Sequence, residues 1–210
     1  MGAIKGLIFD LDGVVVSTER NHFESWKQIA AMLNLHFDEE VNENLKGVSR
    51  ADSLRFILKN SGTTIEEDRF EELLVKKNEF YRESLGALSG ANILPGVEKV
   101  LKDAKNEGVK VMIGSSSRNA RFILDKLGLL ETFDHIVDGN DVANAKPDPE
   151  VFLKGAKAAG LNPVDCVVFE DAASGIEAAK KGGFKAIAVG NENIREMADE
   201  YLNTLEEFSL

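Results

Sequence analysis

The sequence predicts an α/β fold: a parallel sheet wrapped by helices and interrupted, near its start, by a helical insertion. Short Val- and Ile-rich runs end in polar loops and pass into segments of helical period, the pattern of strands joined by helical crossovers. The stretch 18–85 breaks that rhythm, with apolar residues at helical spacing and no strand-like run. A turn at Leu94, Pro95 and Gly96 marks the return to the sheet.

The expected strands are 7–9, 109–113, 135–137, 166–169 and 186–189, each followed by a helix or loop. In the insertion, Phe23, Trp26, Ile29, Ala30 and Leu33 fall on one helical face. A chain of 210 residues exceeds a typical single core, so one domain carrying a large insertion and two modest domains are both admissible. No internal repeat or low-complexity segment is present.

Composition narrows the function. A net charge of -11, with no block of Lys and Arg, speaks against nucleic acid as a partner. No apolar run reaches the roughly 20 residues that cross a bilayer, so no membrane partner is expected. The first residues run straight into a strand, so no secretory leader is expected. The single cysteine, Cys166, lies in an apolar run and reads as a buried thiol. With no internal disulfide possible, a reducing, cytoplasmic setting is expected.

Ligands of open parallel sheets bind outside the carboxyl ends of the strands. Four such loops carry chemistry: Asp10, Asp12 and Gly13; Ser115 to Asn119; Lys146, Pro147 and Asp148; Glu170 and Asp171. Asp10 and Asp12 can point alike only if the chain leaves the strand, which Gly13 permits. One could then attack while the other handles protons, or both could be turn formers. Glu170 and Asp171 end a second apolar strand. If the two acidic pairs converge, a hard divalent cation such as Mg2+ is the economical way to hold them together. The alternative is acidic charge complementing a helix dipole.

Ser115, Ser117 and Asn119 offer donors at an expected helix start, a ready anion site, and Ser115 and Ser117 read equally as simple caps. Lys146 is held extended by Pro147, either as a solvated lysine or beside an attacked phosphate, where it would offset charge and keep a nucleophilic carboxylate ionised.

The set FDLDG at 9–13, Ser115, Lys146, and Glu170 with Asp171 resembles the four motifs of the haloacid dehalogenase superfamily, all in order and spanning the chain. The resemblance implies a Rossmann-like parallel sheet core, residues 1–15 and 94–210, with an inserted small helical cap domain and its hinges at 16–93. It implies that Asp10 forms an aspartyl phosphate, Asp12 acts as acid and base, and Ser115 and Lys146 hold the phosphoryl group. Glu170 and Asp171 then secure Mg2+ with Asp10 and the Asp12 backbone carbonyl.

The segments HFESWK at 22–27, LKGVSRADSL at 45–54 and KKNEFY at 76–81 resemble cap segments of the β-phosphoglucomutase family. By that resemblance Arg50 binds the phosphate not in transfer, within a segment contributing Lys46, Gly47, Val48 and Ser49. His22 and Lys77 couple cap closure to proton transfer, and Trp26 shapes the sugar site. Ser116, Ser117 and Asn119 face the substrate from the core. The implied enzyme is a phosphoryl-transfer isomerase, interconverting β-glucose 1-phosphate and glucose 6-phosphate through β-glucose 1,6-bisphosphate, and a monomer acting on small-molecule sugar phosphates.

Sugar-phosphate hydrolysis on the same core is the nearest rival, and a noncatalytic phosphosugar-binding protein a more distant one. Read without the resemblance, Ser49 with Asp52 makes a capping box. Trp26 reads as helix packing and His22 as a surface histidine. Arg50 opposes a helix dipole unless an anion joins it. Relatives usually carry Asp at the position of Ser17 and often Ala at Ser116.

Overall fold

The structure is a computed structural model that describes residues 3–45 and 48–210. Its first strand, β1 (Gly6–Phe9), is apolar and buried on both faces, as a central strand of a parallel sheet must be.

The insertion follows. It folds as α1 (Glu19–Met32), α2 (Glu39–Glu43), α3 (Arg50–Asn60) and α4 (Glu67–Ser84). Trp26, Ile29, Ala30, Leu54, Ile57 and Leu73 form its interior, the face expected from the spacing in α1. A charge-free stripe buried this way stabilises each helix by about 1.5–3 kcal/mol per large side chain, more than intrinsic propensity provides.

The compact helical unit is Thr18–Ala87, and the second unit joins Met1–Ser17 to Leu88–Leu210. These divisions differ from the expected 15/16 and 93/94. Val16 bridges to both Asp12 and Ile93, and the Leu94 N–H donates to the Val15 carbonyl at 2.9 Å. Backbone pairing therefore ties Val16 and Ile93 to the sheet unit.

The sheet continues through β2 (Lys110–Gly114), β3 (His135–Val137), β4 (Cys166–Glu170), β5 (Lys185–Val189) and β6 (Glu200–Leu202). All pairs are parallel, in the order β3, β2, β1, β4, β5, β6. The α/β expectation holds. β2 begins at Lys110, not Val109, because the Val109 N–H closes the preceding helix by donating to the Ala104 carbonyl at 2.8 Å. β6 lies outside the expected strands; its Glu200, Tyr201 and Leu202 carry no Val or Ile, and its place follows from an edge pairing with β5.

The crossover helices are α5 (Val97–Glu107), α6 (Ala120–Leu127), α7 (Glu150–Ala158) and α8 (Ala173–Lys181). α7 packs on β1, β2 and β3, and α8 on β4 and β5, burying Ile8, Met112, Phe152, Val168 and Ile176 together. Side chains alternate along a strand, so Phe9 and Phe169 turn to the opposite face. There they stack at 5.0 Å, with Phe208 edge-on to Phe169 at 4.9 Å. Among the described residues no helix is long and apolar enough to cross a membrane.

Candidate active site

Register assembles the site. Phe9 lies opposite both Ile113 and Phe169, so the residues that follow, Asp10, Ser115 and Glu170, emerge at one end of the sheet. Asp10 is buried, and its N–H still reaches the Phe169 carbonyl at 2.9 Å. The chain then turns at Gly13, with φ +81°, and the Gly13 N–H donates to the Val16 carbonyl at 2.7 Å. A side chain at 13 would enter the volume of the Asp171 carboxylate. The glycine serves both the turn and the acids beside it.

Lys146 closes the group. Its ammonium donates to Asp10 Oδ1 at 2.6 Å and also to Glu170 Oε1. It lies over the Phe152 ring at 4.7 Å, buried and far from a solvated lysine. The Lys146–Pro147 peptide bond is cis. Glu150 holds the approach to it, accepting from the Ala143 and Asn144 N–H groups. The Lys154 ammonium, together with those two N–H groups, keeps the Glu150 carboxyl down at about 2.

Glu170, 1% exposed, accepts from the Asp171 and Ala172 N–H groups on Oε2, at 3.0 and 2.9 Å. Gly175, in the first turn of α8, leaves no room for a Cβ against that carboxylate. Both Glu170 oxygens are thus engaged.

Electrostatics follow from crowding. Burial pushes the Asp10 carboxyl well above the usual range; Lys146 pulls it back, while Glu170 and Asp171 push it further up. Burial, then Glu170 and Asp12, raise Asp171 to about 7. Burial acts to lower Lys146, but Asp10 and Glu170 outweigh it and hold the ammonium above its ordinary value.

Ligand oxygens of Asp10, Glu170 and Asp171 lie within 4.8 Å of one another. One ammonium against three acids leaves excess negative charge, and an all-oxygen donor set fits a hard divalent cation. The Asp12 carboxylate lies outside that trio, although it is close enough to raise Asp171.

In the serine loop, Ser115 and Asn119 are buried, Ser117 is half-buried and Ser116 is exposed. Neither serine caps α6; Asn119 holds that position, without a side-chain capping bond. The helical unit gathers a second set. Lys77, 3% exposed, meets His22 Nδ1 at 2.8 Å and lies over the rings of Tyr81 and Trp26 at 4.5 and 5.2 Å. Burial first, then Lys77 and Arg50, drive the His22 imidazole well below its usual range. Its Nδ1 is therefore an acceptor for the lysine.

Arg50 opens α3 and donates to Asn78 Oδ1 at 2.9 Å and to the Leu74 carbonyl at 3.4 Å. Ser49 caps α3, accepting from the Asp52 N–H. Trp26 is buried in the helical core, as the packing reading holds. Val48 is exposed. Lys46 and Gly47 lie outside the described residues. Sequence reasoning missed Asn78, which orients Arg50, and Tyr81, whose hydroxyl donates to Thr18 Oγ1 at 3.0 Å. Tyr81 sits one helical turn beyond Lys77, a spacing that could have flagged it.

A family model of haloacid dehalogenase-like hydrolases matches residues 4–183. The chain belongs to that family. Among haloacid dehalogenase-like proteins, the chain is 42% identical to a β-phosphoglucomutase of Bacillus subtilis, over 89% of this chain and 84% of that one. It is 32% identical to a phosphorylated carbohydrates phosphatase of Thermotoga maritima, over 88% and 84%. In structure it matches a β-phosphoglucomutase from Clostridium difficile with a TM-score of 0.90 and 34% identity, covering 99% and 94%.

Proposed function

We propose that this chain is a β-phosphoglucomutase, interconverting β-D-glucose 1-phosphate and D-glucose 6-phosphate through phospho-Asp10 and β-glucose 1,6-bisphosphate. The observation that carries the reading is the 42% identity to the Bacillus subtilis mutase across 89% of the chain. A match of that extent runs through the helical unit as well as the core. The core alone serves mutase and phosphatase equally.

Phospho-Asp10 donates to the sugar 6-hydroxyl while Asp12 takes its proton. The Asp10 carboxylate then attacks the phosphorus at O1, that P–O bond breaks, and Asp12 returns the proton to the departing oxygen. Lys146, 2.6 Å from Asp10, pulls the raised carboxyl back toward its ionised form and offsets charge on the phosphoryl oxygens. Ser115 donates to the same group. Glu170 holds Lys146.

Mg2+ is the proposed cation, held by Asp10, Asp171 and the Asp12 carbonyl with Glu170 beside them; when bound it neutralises the phosphoryl oxygens. Arg50 is assigned to the phosphate not in transfer, His22 and Lys77 to sugar contact and proton control, and Ser116, Ser117 and Asn119 to the core side. Lys46, Gly47, Val48, Ser49 and Trp26 complete the proposed substrate set. A cytoplasmic monomer is part of the reading.

The test is turnover of β-glucose 1-phosphate with Mg2+, with and without catalytic β-glucose 1,6-bisphosphate, following glucose 6-phosphate and free phosphate together. The mutase yields glucose 6-phosphate with bisphosphate activation. Free phosphate as the main product would establish the phosphatase instead.

A further inference from the structure

A buried carboxylate outside the acidic trio stands behind the serine loop. Asp138 follows β3 and is 1% exposed. Its Oδ1 accepts from the Asn140 N–H at 2.8 Å and from the Asn140 side-chain amide at 3.0 Å, and its Oδ2 faces Arg121 Nε at 3.5 Å. Held there, Asn140 Nδ2 also donates to the Arg118 carbonyl at 3.0 Å. The Gly139 N–H donates to the Ser117 carbonyl at 3.3 Å. The Ser116 carbonyl occupies the space a Cβ on Gly139 would need.

Three successive carbonyls of the serine loop therefore face the loop after β3. In a planar trans peptide the following N–H points opposite to the carbonyl, so the amides of Ser117, Arg118 and Asn119 are turned the other way. Two of them find hydroxyls: Ser117 N–H donates to Ser115 Oγ at 3.1 Å and Asn119 N–H to Ser117 Oγ at 3.2 Å. A hydroxyl that already accepts from the backbone has its own proton to give elsewhere. At the end of β2 and the start of α6, an anion is the natural recipient.

We infer that Asp138, through Gly139 and Asn140, is a positioning residue for phosphate binding: it fixes which way the 115–119 loop presents its donors. The inference rests on the reading of that loop as a phosphate site. A peptide released to flip would offer an anion a carbonyl in place of a donor. Asp138 acts through the loop, and Asn140 is the link.

The test is inorganic phosphate binding to the Mg2+-loaded protein by calorimetry, beside Mg2+ titration, thermal melts and KM for β-glucose 1-phosphate. Asn140 is exposed, so Asn140→Ala should fold normally. It is expected to bind phosphate about tenfold more weakly, the factor that about 1.4 kcal/mol gives, with KM raised similarly and Mg2+ affinity unchanged. Asp138→Asn keeps a neutral acceptor for Asn140 and should stay within about threefold of the unaltered protein, whereas Asp138→Ala should lose at least as much as Asn140→Ala. Equal phosphate affinity in Asn140→Ala and the unaltered protein, or a parallel loss of Mg2+ affinity, would overturn the inference. Phosphate binding that responds as described, in a protein that does not isomerise the sugar phosphate, would sustain it and refute the mutase reading.

Discussion

Asp171→Asn isolates the charge crowding around the proposed metal. Asp171 is raised to about 7 by burial and by Glu170 and Asp12, whereas in the unfolded chain it has an ordinary value near ~4. In the metal-free protein the folded state therefore binds this proton more tightly than the unfolded state. Stability is full below about pH 4 and is lost as pH rises towards 7, at up to about 1.4 kcal/mol per pH unit. Three units would give about 4 kcal/mol; Asp171 is partly open to solvent, and screening reduces the working figure to about 2 kcal/mol.

Asparagine keeps the shape and removes the titration. With chelator present, Asp171→Asn should melt about 4–8 °C higher than the unaltered protein at pH 8, and alike at pH 4. Saturating Mg2+ should reverse the order, since a ligand at a hundred times its Kd adds about 2.7 kcal/mol to the protein that binds it. Calorimetric melts at both pH values, with and without Mg2+, decide. A metal-free Asp171→Asn protein that is less stable at pH 8, or one that keeps the slope between pH 4 and 7, refutes the reasoning.

Gly13→Ala should weaken Mg2+ binding by at least about tenfold and cost about 1–2 kcal/mol of stability, because the left-handed φ and the Asp171 carboxylate both oppose a Cβ; metal titration and a melt check it. The depressed His22 pKa means that its neutral form is the folded one. Stability is kept above about pH 6.5 and lost as pH falls, by up to about 1.4 kcal/mol per unit, and His22→Gln should flatten that acid limb in pH-dependent melts. Lys146→Met should push the Asp10 carboxyl further up and reduce the phosphoenzyme seen by intact mass, with partial return as pH rises; a loss independent of pH would assign the lysine another role. Arg50→Ala should reduce mutase turnover far more than hydrolysis of a small aryl phosphate, and equal losses would make Arg50 structural.

Strand runs such as GLIF were legible because a doubly buried parallel strand must be continuously apolar, and the rule that sites follow strands located Asp10, Ser115 and Glu170 without coordinates. Lys146 was legible only as a candidate: nothing in KPDP says that its ammonium lies over Phe152 between two acids. β6 was not legible, since three polar-to-mixed residues acquire strand geometry from a neighbour. The bracing of the serine loop by Asp138 and Asn140 was invisible for a similar reason. DGND reads as a turn, and its partners become partners only when β3 is laid beside β2. Glu170 reads as a metal ligand and lies in the acidic trio, but that its oxygens also engage Lys146 and the backbone was not legible.

The place of β1 in the middle of the sheet has a consequence for synthesis. Its partners, β2 and β4, lie far downstream. At about 5–20 residues per second, the roughly one hundred residues between β1 and β2 keep GLIF waiting some 5–20 s after it leaves the ribosome. Throughout that time both strand edges stay open to other chains. The helical unit has an interior of its own but offers β1 no pairing. The strand that leads into Asp10 is thus among the first segments made and among the last protected, and chaperone supply during translation, more than the stability of the finished fold, should set how much enzyme a cell recovers.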